Sequence, residues 1–187
     1  MSKLNICTTH GKNNNDELYT PSLMVNPIIK YIPSGARVWC PFDTINSEFV
    51  QLLNTAGIDV TFSHIQTGQD FFKYQPSNYD LIISNPPFSK KLPILDRLYK
   101  LNKPFAVLFG LPILNYQAIG NFFYKKNSDL QLLIFDKKVS FDGNTSSFNC
   151  SYFCRDFLPK QLMFHHLEHN NTGDNYTPSR MHGDILK

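Results

Sequence analysis

Apolar residues follow two alternating patterns along the chain. Spacings of three and four residues predict helices within 20–33, 46–57, 92–102 and 116–126, the second of them ending at Gly57. Short apolar runs between polar or proline-containing stretches predict buried strands within 35–42, 59–65, 79–84, 104–113, 130–141 and 149–158. Strands that alternate with helices predict an α/β fold, with a mostly parallel sheet and helices on both faces.

The last two predicted strands are joined by the short stretch "DGNTSSFN". It has no room for a helical crossover, so these strands are predicted to form an antiparallel pair at an edge of the sheet. Residues 17–169 are expected to form one domain. The polar segments 1–16 and 170–187 are expected to be flexible.

Composition and charge narrow the class of protein. The chain has 187 residues, 42% of them hydrophobic, which is enough for a sizeable core. No apolar run reaches membrane-spanning length, and the first residues do not resemble a secretion signal, so we expect a cytoplasmic protein. The net charge of +3 permits a nucleic-acid partner without requiring one.

Cysteine and histidine usage predicts no metal site. The four cysteines contain no CxxC pair and are expected to be reduced thiols, three of them in strand-like surroundings. His165, His166 and His169 lack cysteine or carboxylate companions at metal-ligand spacing, so we expect them to be solvated surface side chains.

The stretch Asn85-Pro86-Pro87-Phe88 follows the buried strand at 79–84. Two prolines fix two φ angles and remove two N–H donors, so the chain must leave the strand in a stiff extended turn. The side chain of Asn85 and the backbone of Pro86 each offer a carbonyl oxygen, and Phe88 offers a flat ring. These groups complement the amino group of a planar base at the strand end, where open parallel sheets bind ligands.

The "SNPPF" stretch resembles the catalytic motif of S-adenosylmethionine-dependent amino-methyltransferases, especially those that form N6-methyladenine in DNA. The resemblance covers about residues 18–160, and short phage and bacterial methyltransferase-like proteins are the nearest likeness. It implies a Rossmann-like methyltransferase fold, S-adenosylmethionine as cofactor and DNA as substrate. It also implies that an adenine flipped out of the duplex is held by the Asn, the two prolines and the aromatic ring.

The resemblance also implies which residues contact the cofactor. They are Tyr19, Thr20 and Pro21 at the start of the first helix, Pro41, Phe42 and Asp43 after the first strand, His64 after the second strand, Asp70 and Phe71 in the following segment, and Asn85 in the catalytic motif.

Several of these positions have a second interpretation. Thr20 is a candidate N-cap of a simple helix start, and Thr44 or Asn46 is a candidate N-cap of the next helix. Thr44 and Asn46 also occupy positions where the family has glycine. His64 stands where the family has a ribose-binding carboxylate, but a lone histidine at a strand end is more often a surface residue.

Three functional hypotheses remain open at this stage. The first is adenine methylation in DNA, with Ser89, Lys90 and Lys91 meeting substrate phosphate. The second is the same chemistry on an RNA base or a protein glutamine. The third is a non-catalytic binding or inhibitor protein on a methyltransferase scaffold. The chain shows no separate target-recognition domain, so selectivity is expected to come from loops, a homodimer or a protein partner.

Overall fold

The structure, a computed structural model, describes residues 20–126, 129–140 and 147–168. The described helices are α1 (Ser22–Ile29), α2 (Glu48–Thr55), α3 (Lys91–Leu101) and α4 (Gln117–Lys126). The described strands are β1 (Arg37–Cys40), β2 (Asp59–Phe62), β3 (Leu81–Ser84), β4 (Phe105–Gly110), β5 (Gln131–Phe135), β6 (Val139–Ser140), β7 (Ser147–Phe148), β8 (Cys150–Arg155) and β9 (Leu162–His165). Single 3₁₀ turns lie at Ile65–Thr67, Phe88–Lys90 and Leu111–Asn115.

Seven strands form one sheet in the order β2-β1-β3-β4-β8-β5-β9. Strand β8 runs antiparallel to both β4 and β5, and the other pairings in this sheet are parallel. The predicted α/β fold, with a mostly parallel sheet and an antiparallel pair toward one edge, is therefore confirmed. Strand β9 was not predicted, and it extends the sheet beyond β5. Strands β6 and β7 form a separate antiparallel pair, so the predicted strand at 130–141 is in fact divided.

The central strands are buried on both faces because their side chains alternate between two helical layers. On β1, Val38 and Cys40 pack in the core with α1 and α2, whereas Trp39 packs in the core with α3 and α4. On β3, Ile83 and Ile82 divide in the same way. Helices therefore cover both faces of the sheet, as predicted.

Two helix ends test the expected capping. Gly57 follows α2 with φ +75°, and its N–H donates to the Asn54 carbonyl at 2.9 Å, so the predicted end of that helix is confirmed. The prediction for Thr20 is wrong by one residue, because the N-cap of α1 is Pro21. The Pro21 carbonyl accepts from the N–H of Met24 at 2.9 Å.

Some sequence predictions concern residues outside the described ranges. They include the terminal segments 1–16 and 170–187, Tyr19, Cys7 and His169. The described cysteines Cys40, Cys150 and Cys154 are all buried. In the described part of the chain, no helix is long and apolar enough to cross a membrane, and no group of three or more His, Cys, Asp or Glu side chains is arranged to hold a metal ion.

The surface histidines are only partly as expected. His166 is exposed, but its Nδ1 pairs with the carboxylate of Asp136, a companion that sequence spacing did not reveal. His165 is half-buried and its ring contacts Phe135.

Candidate functional site

The site lies where the strand order reverses. The chain continues from β1 to β2 on one side of β1, and β3 then pairs on the other side. Such a switch point leaves a crevice beyond the carboxyl ends of the strands, because the connections diverge to opposite sides. A pocket of about 420 Å³ opens there.

The pocket brings together most residues that the sequence singled out. Those that line it are Thr20, Pro41, Phe42, Asp43, His64, Asp70, Phe71, Asn85, Pro86, Pro87, Phe88, Ser89 and Lys90. Pro21 and Lys91 are not among the lining residues. Of the two positions where the family has glycine, Thr44 lines the pocket and Asn46 does not.

Asp43 is a buried carboxylate at the end of β1, with 6% of its surface exposed. Its N–H donates to the Ser63 carbonyl at 3.2 Å, and its carboxylate accepts a hydrogen bond from the hydroxyl of Ser84. The Ser47 hydroxyl also bonds to this carboxylate. Burial raises the pKa of Asp43 to about 6, and the two hydroxyl bonds oppose part of that rise.

The N-cap of α2 is Ser47, not Thr44 or Asn46. The Ser47 Oγ accepts from the N–H of Val50 at 3.4 Å. Both predicted N-caps are therefore wrong. The polar loop between β1 and α2 instead connects the Asp43 carboxylate to the first turn of the helix.

His64 is a buried pocket residue rather than a surface residue, since only 8% of it is exposed. Its Nδ1 accepts from the backbone N–H of Gln66 at 3.2 Å and caps the short turn at Ile65–Thr67. Because Nδ1 accepts this bond, the other ring nitrogen, Nε2, can serve as a hydrogen-bond donor.

Packed aromatic rings form one wall of the pocket. The ring of Phe71 lies 4.7 Å from that of Phe42 and 5.6 Å from those of Trp39 and Phe72, measured between centroids. The Asp70 carboxylate accepts from the N–H of Phe72 at 3.0 Å, which fixes the start of this segment. The ring planes are tilted by 41°, 52° and 66° from that of Phe71, so the wall is apolar but uneven, and it can pack against an aromatic ligand.

The proline turn leaves the sheet as the sequence predicts. Ser84 ends β3, and Pro87 is extended, with φ −60° and ψ 132°. The chain then enters the turn Phe88–Lys90 and continues into α3. The side-chain oxygen Oδ1 of Asn85 is buried, and the half-buried ring of Phe88 packs against the cores on both faces of the sheet.

Several lining residues were not predicted from the sequence, chiefly Glu48, Gln66 and Phe72. Glu48 follows the N-cap Ser47 in the first turn of α2, so an acidic residue directly after the first loop was the available signal. The ammonium of Lys90 lies 5.6 Å from the centroid of the Phe72 ring, beside the proline turn.

The charged side chains that line the pocket are mostly acidic. They are the carboxylates of Asp43, Glu48 and Asp70 and the ammonium of Lys90.

No protein-family model matches the sequence, and the comparison with curated proteins gives no match. Two solved structures are similar in fold. A methyltransferase subunit of a type I restriction-modification system from Streptococcus thermophilus has a TM-score of 0.50 and 11% identity, and the match covers 80% of this chain and 47% of that one. A modification subunit assigned to a type I restriction enzyme from Vibrio vulnificus has a TM-score of 0.50 and 13% identity, with coverage of 87% and 49%.

The chain thus spans about half the length of either of these two structures. At identities this low, the structural similarity establishes the fold alone, and activity must be argued from the site. The protein has a Rossmann-like methyltransferase fold.

Proposed function

We propose that this protein is an S-adenosylmethionine-dependent methyltransferase that modifies the N6 amino group of adenine in DNA. One observation carries the proposal. The Asn85–Phe88 turn and most of the residues expected to contact the cofactor, which come from separate segments of the sequence, line one pocket at the switch point of the sheet. A catalytic turn and a cofactor site must share one cavity for direct group transfer.

The pocket residues fit this cofactor. A volume of about 420 Å³ lies within the usual range of small-molecule sites. Asp43, Glu48 and Asp70 offer carboxylates to an ammonium, to ribose hydroxyls and to an adenine amino group. Phe71, which is 3% exposed, and the partly buried Phe42 and Phe72 offer an apolar surface to the adenine. Thr44 replaces a family glycine, but the pocket remains open beside it.

When bound, the cofactor supplies an electrophilic methyl group. The chain's own residues hold the nucleophile. The side-chain oxygen of Asn85, which is buried in this structure and must turn toward the pocket, and the backbone carbonyl of Pro86 accept the two N–H groups of the amine, and Phe88 stacks on the base. These acceptors stabilise the positive charge that develops on nitrogen, which then loses a proton to solvent.

Three further features support DNA as the substrate. Ser89 and Lys90 are exposed beside the turn, where they can meet a backbone phosphate. The chain carries a net charge of +3. The two structures of similar fold are described as subunits of restriction-modification systems. We also propose that a homodimer or a protein partner supplies target recognition. We propose further that residues 17–169 form one domain and that the protein acts in the cytoplasm.

The test is incubation of the purified protein with methyl-labelled cofactor and separate pools of DNA, RNA and protein. We expect label in DNA, and digestion of that DNA should release the label as N6-methyl-2′-deoxyadenosine. Label in RNA or protein alone would replace the DNA substrate with one of those alternatives. No label in any pool, together with no cofactor binding at millimolar concentration, would favour a non-catalytic binding protein.

A further inference from the structure

Several structural elements meet at the carboxylate of Asp43. Asp43 follows β1, its N–H bonds to the carbonyl of Ser63 after β2, and Ser84 at the end of β3 donates its hydroxyl to the carboxylate. Ser47, the N-cap of α2, provides the second hydroxyl. Asp43 and Ser84 are 6% and 0% exposed, so their contact is shielded from solvent.

Ser84 is the residue directly before Asn85, and the turn that follows it has few backbone anchors. Pro86 and Pro87 have no N–H to donate, so neither can hold the turn through a backbone hydrogen bond of its own. The backbone of Ser84 is paired with Val107 of β4, and its side chain adds a second anchor, to Asp43, directly before the turn. One hydrogen bond and one peptide unit therefore connect the Asp43 carboxylate to Asn85.

We propose that Ser84 is a positioning residue that couples the two halves of the pocket, so that cofactor bound at Asp43 and a base bound at Asn85 strengthen each other. This inference rests on the proposed function and assigns its regulation to one buried contact. Cofactor that engages Asp43 fixes the carboxylate, the carboxylate fixes Ser84, and Ser84 fixes Asn85. Such coupling is reciprocal, since the base must raise cofactor affinity by the same factor.

The pH dependence of cofactor binding is a second readout, and it depends on the titratable groups around Asp43. Cys40 on β1 and Tyr152 on β8 interact with Asp43, but burial raises the pKa of both well above its ordinary value, so both stay neutral near neutral pH. Glu48 on α2, His64 and Asp70 beyond β2, and Lys90 beyond β3 line the same pocket.

The hydroxyl of Ser84 lowers the pKa of Asp43 from the value that burial alone would give. Loss of that hydroxyl therefore raises the pKa. Ionised Asp43 is the form that attracts the cofactor's ammonium, so cofactor affinity must fall as the solution is acidified. In Ser84→Ala this fall begins at a higher pH than in the wild type.

The experiment measures S-adenosylhomocysteine binding by calorimetry from pH 5 to 8, with and without a short duplex that carries a mismatched adenine. A mismatched base leaves the stack more easily than a paired one. Such a duplex can therefore be used although the target sequence is unknown. In the wild type we expect DNA to raise the affinity about tenfold, within the usual range of coupling between sites. In Ser84→Ala the coupling ratio, which is the affinity with DNA divided by the affinity without it, should fall toward one. The acid limb, which is the fall of affinity with decreasing pH, should move to higher pH.

Ser47→Ala is the matched control, because it removes the other hydroxyl on Asp43 without adjoining Asn85. It should move the acid limb in the same direction and keep the coupling ratio near the wild-type value. Ser84→Cys, which has nearly the same volume and a weak donor, carries the test if the alanine variant does not fold. It should lose part of the coupling.

The outcomes separate the inference from the function on which it rests. A Ser84→Ala protein that folds, keeps the wild-type ratio and shows no shift of the acid limb would overturn the coupling and leave the methyltransferase proposal intact. A wild-type protein that neither binds S-adenosylhomocysteine at millimolar concentration nor transfers methyl groups would overturn both.

Discussion

Two aspartates lie at opposite ends of the paired strands β1 and β3, and the protein holds them in opposite ways. Asp80 precedes β3, and its carboxylate accepts from the backbone N–H, Nε and a terminal nitrogen of Arg37, each at 2.9 Å. Asp43 follows β1 and is held by the hydroxyls of Ser84 and Ser47. Among the described residues, Asp43 forms no ion pair.

The difference separates an end of the sheet where the carboxylate is compensated within the protein from the end where the proposed binding pocket lies. Hydrogen bonds from Arg37 hold the pKa of Asp80 well below its usual range, so its charge is compensated within the protein. Burial raises the pKa of Asp43 to about 6. A buried carboxylate without a protein cation is costly, and such sites are found where a ligand supplies the missing interaction.

The largest expected effect comes from removing an acceptor at the pocket end of the sheet. Asn85→Ala should reduce the rate of methyl transfer at least about 100-fold, as loss of one preorganised polar group does in other enzymes. Single-turnover measurements with labelled cofactor give the rate. Asn26→Ala, at an exposed position on α1, is the control. A rate unchanged by Asn85→Ala would exclude the proposed catalytic turn.

Asp43→Asn should weaken binding and strengthen folding. Cofactor affinity should fall about tenfold or more, since a buried ionic contact is worth more than 1.4 kcal/mol. The folded-state pKa of about 6 lies above the ordinary value of 3.8, so ionised Asp43 lowers stability above pH 6. Removing this charge should raise the free energy of unfolding at pH 8 by up to about 3 kcal/mol.

The pH dependence checks the sign of that prediction. The wild-type carboxylate becomes protonated as pH falls through 6, so the difference in stability between Asp43→Asn and the wild type should close by about pH 4. Denaturant unfolding at several pH values measures it. A variant less stable than the wild type at pH 8 would mean that ionised Asp43 contributes to folding and is not a strained binding group.

A smaller effect is expected at the rim of the pocket. Lys90→Ala should weaken DNA binding about equally for all sequences and reduce the slope of log affinity against log salt by about one. Fluorescence anisotropy with labelled duplexes measures both. Lys125→Ala, at an exposed position in α4 outside the pocket, should leave the slope unchanged. Equal effects of the two substitutions would place the DNA elsewhere.

The smallest functional effect is expected at the opposite end of the strands. Asp80→Asn should lower the melting temperature at pH 7 slightly and leave cofactor affinity unchanged. The pKa of Asp80 is lowered in the folded protein, so its contribution is present above its ordinary value of 3.8 and is lost as pH falls below it. The two proteins should therefore melt alike in strong acid. Weaker cofactor binding by Asp80→Asn would blur the contrast with Asp43.

The elements buried on both faces could be predicted from the sequence, because β3 and β4 are continuous apolar runs. Strand β9 could not, since its side chains are partly exposed and its pairing with β5 stabilises it. The position of the proline turn at the end of β3 could also be predicted, because two consecutive prolines cannot continue a strand. The contact between Asp43 and Ser84 spans 41 residues, so no local spacing reveals it. The burial of His64 does not follow from local pattern, whereas the position of Glu48 directly after the first loop was a usable signal for its place in the pocket.

Calorimetric titration of the wild-type protein with S-adenosylmethionine tests whether the pocket binds the cofactor. We expect one molecule bound per chain at pH 7.5 and affinity about tenfold weaker at pH 5, where a carboxyl of pKa about 6 is mostly protonated. Absence of binding at millimolar concentration would contradict the claim that the pocket beyond β1 and β3 is a cofactor site.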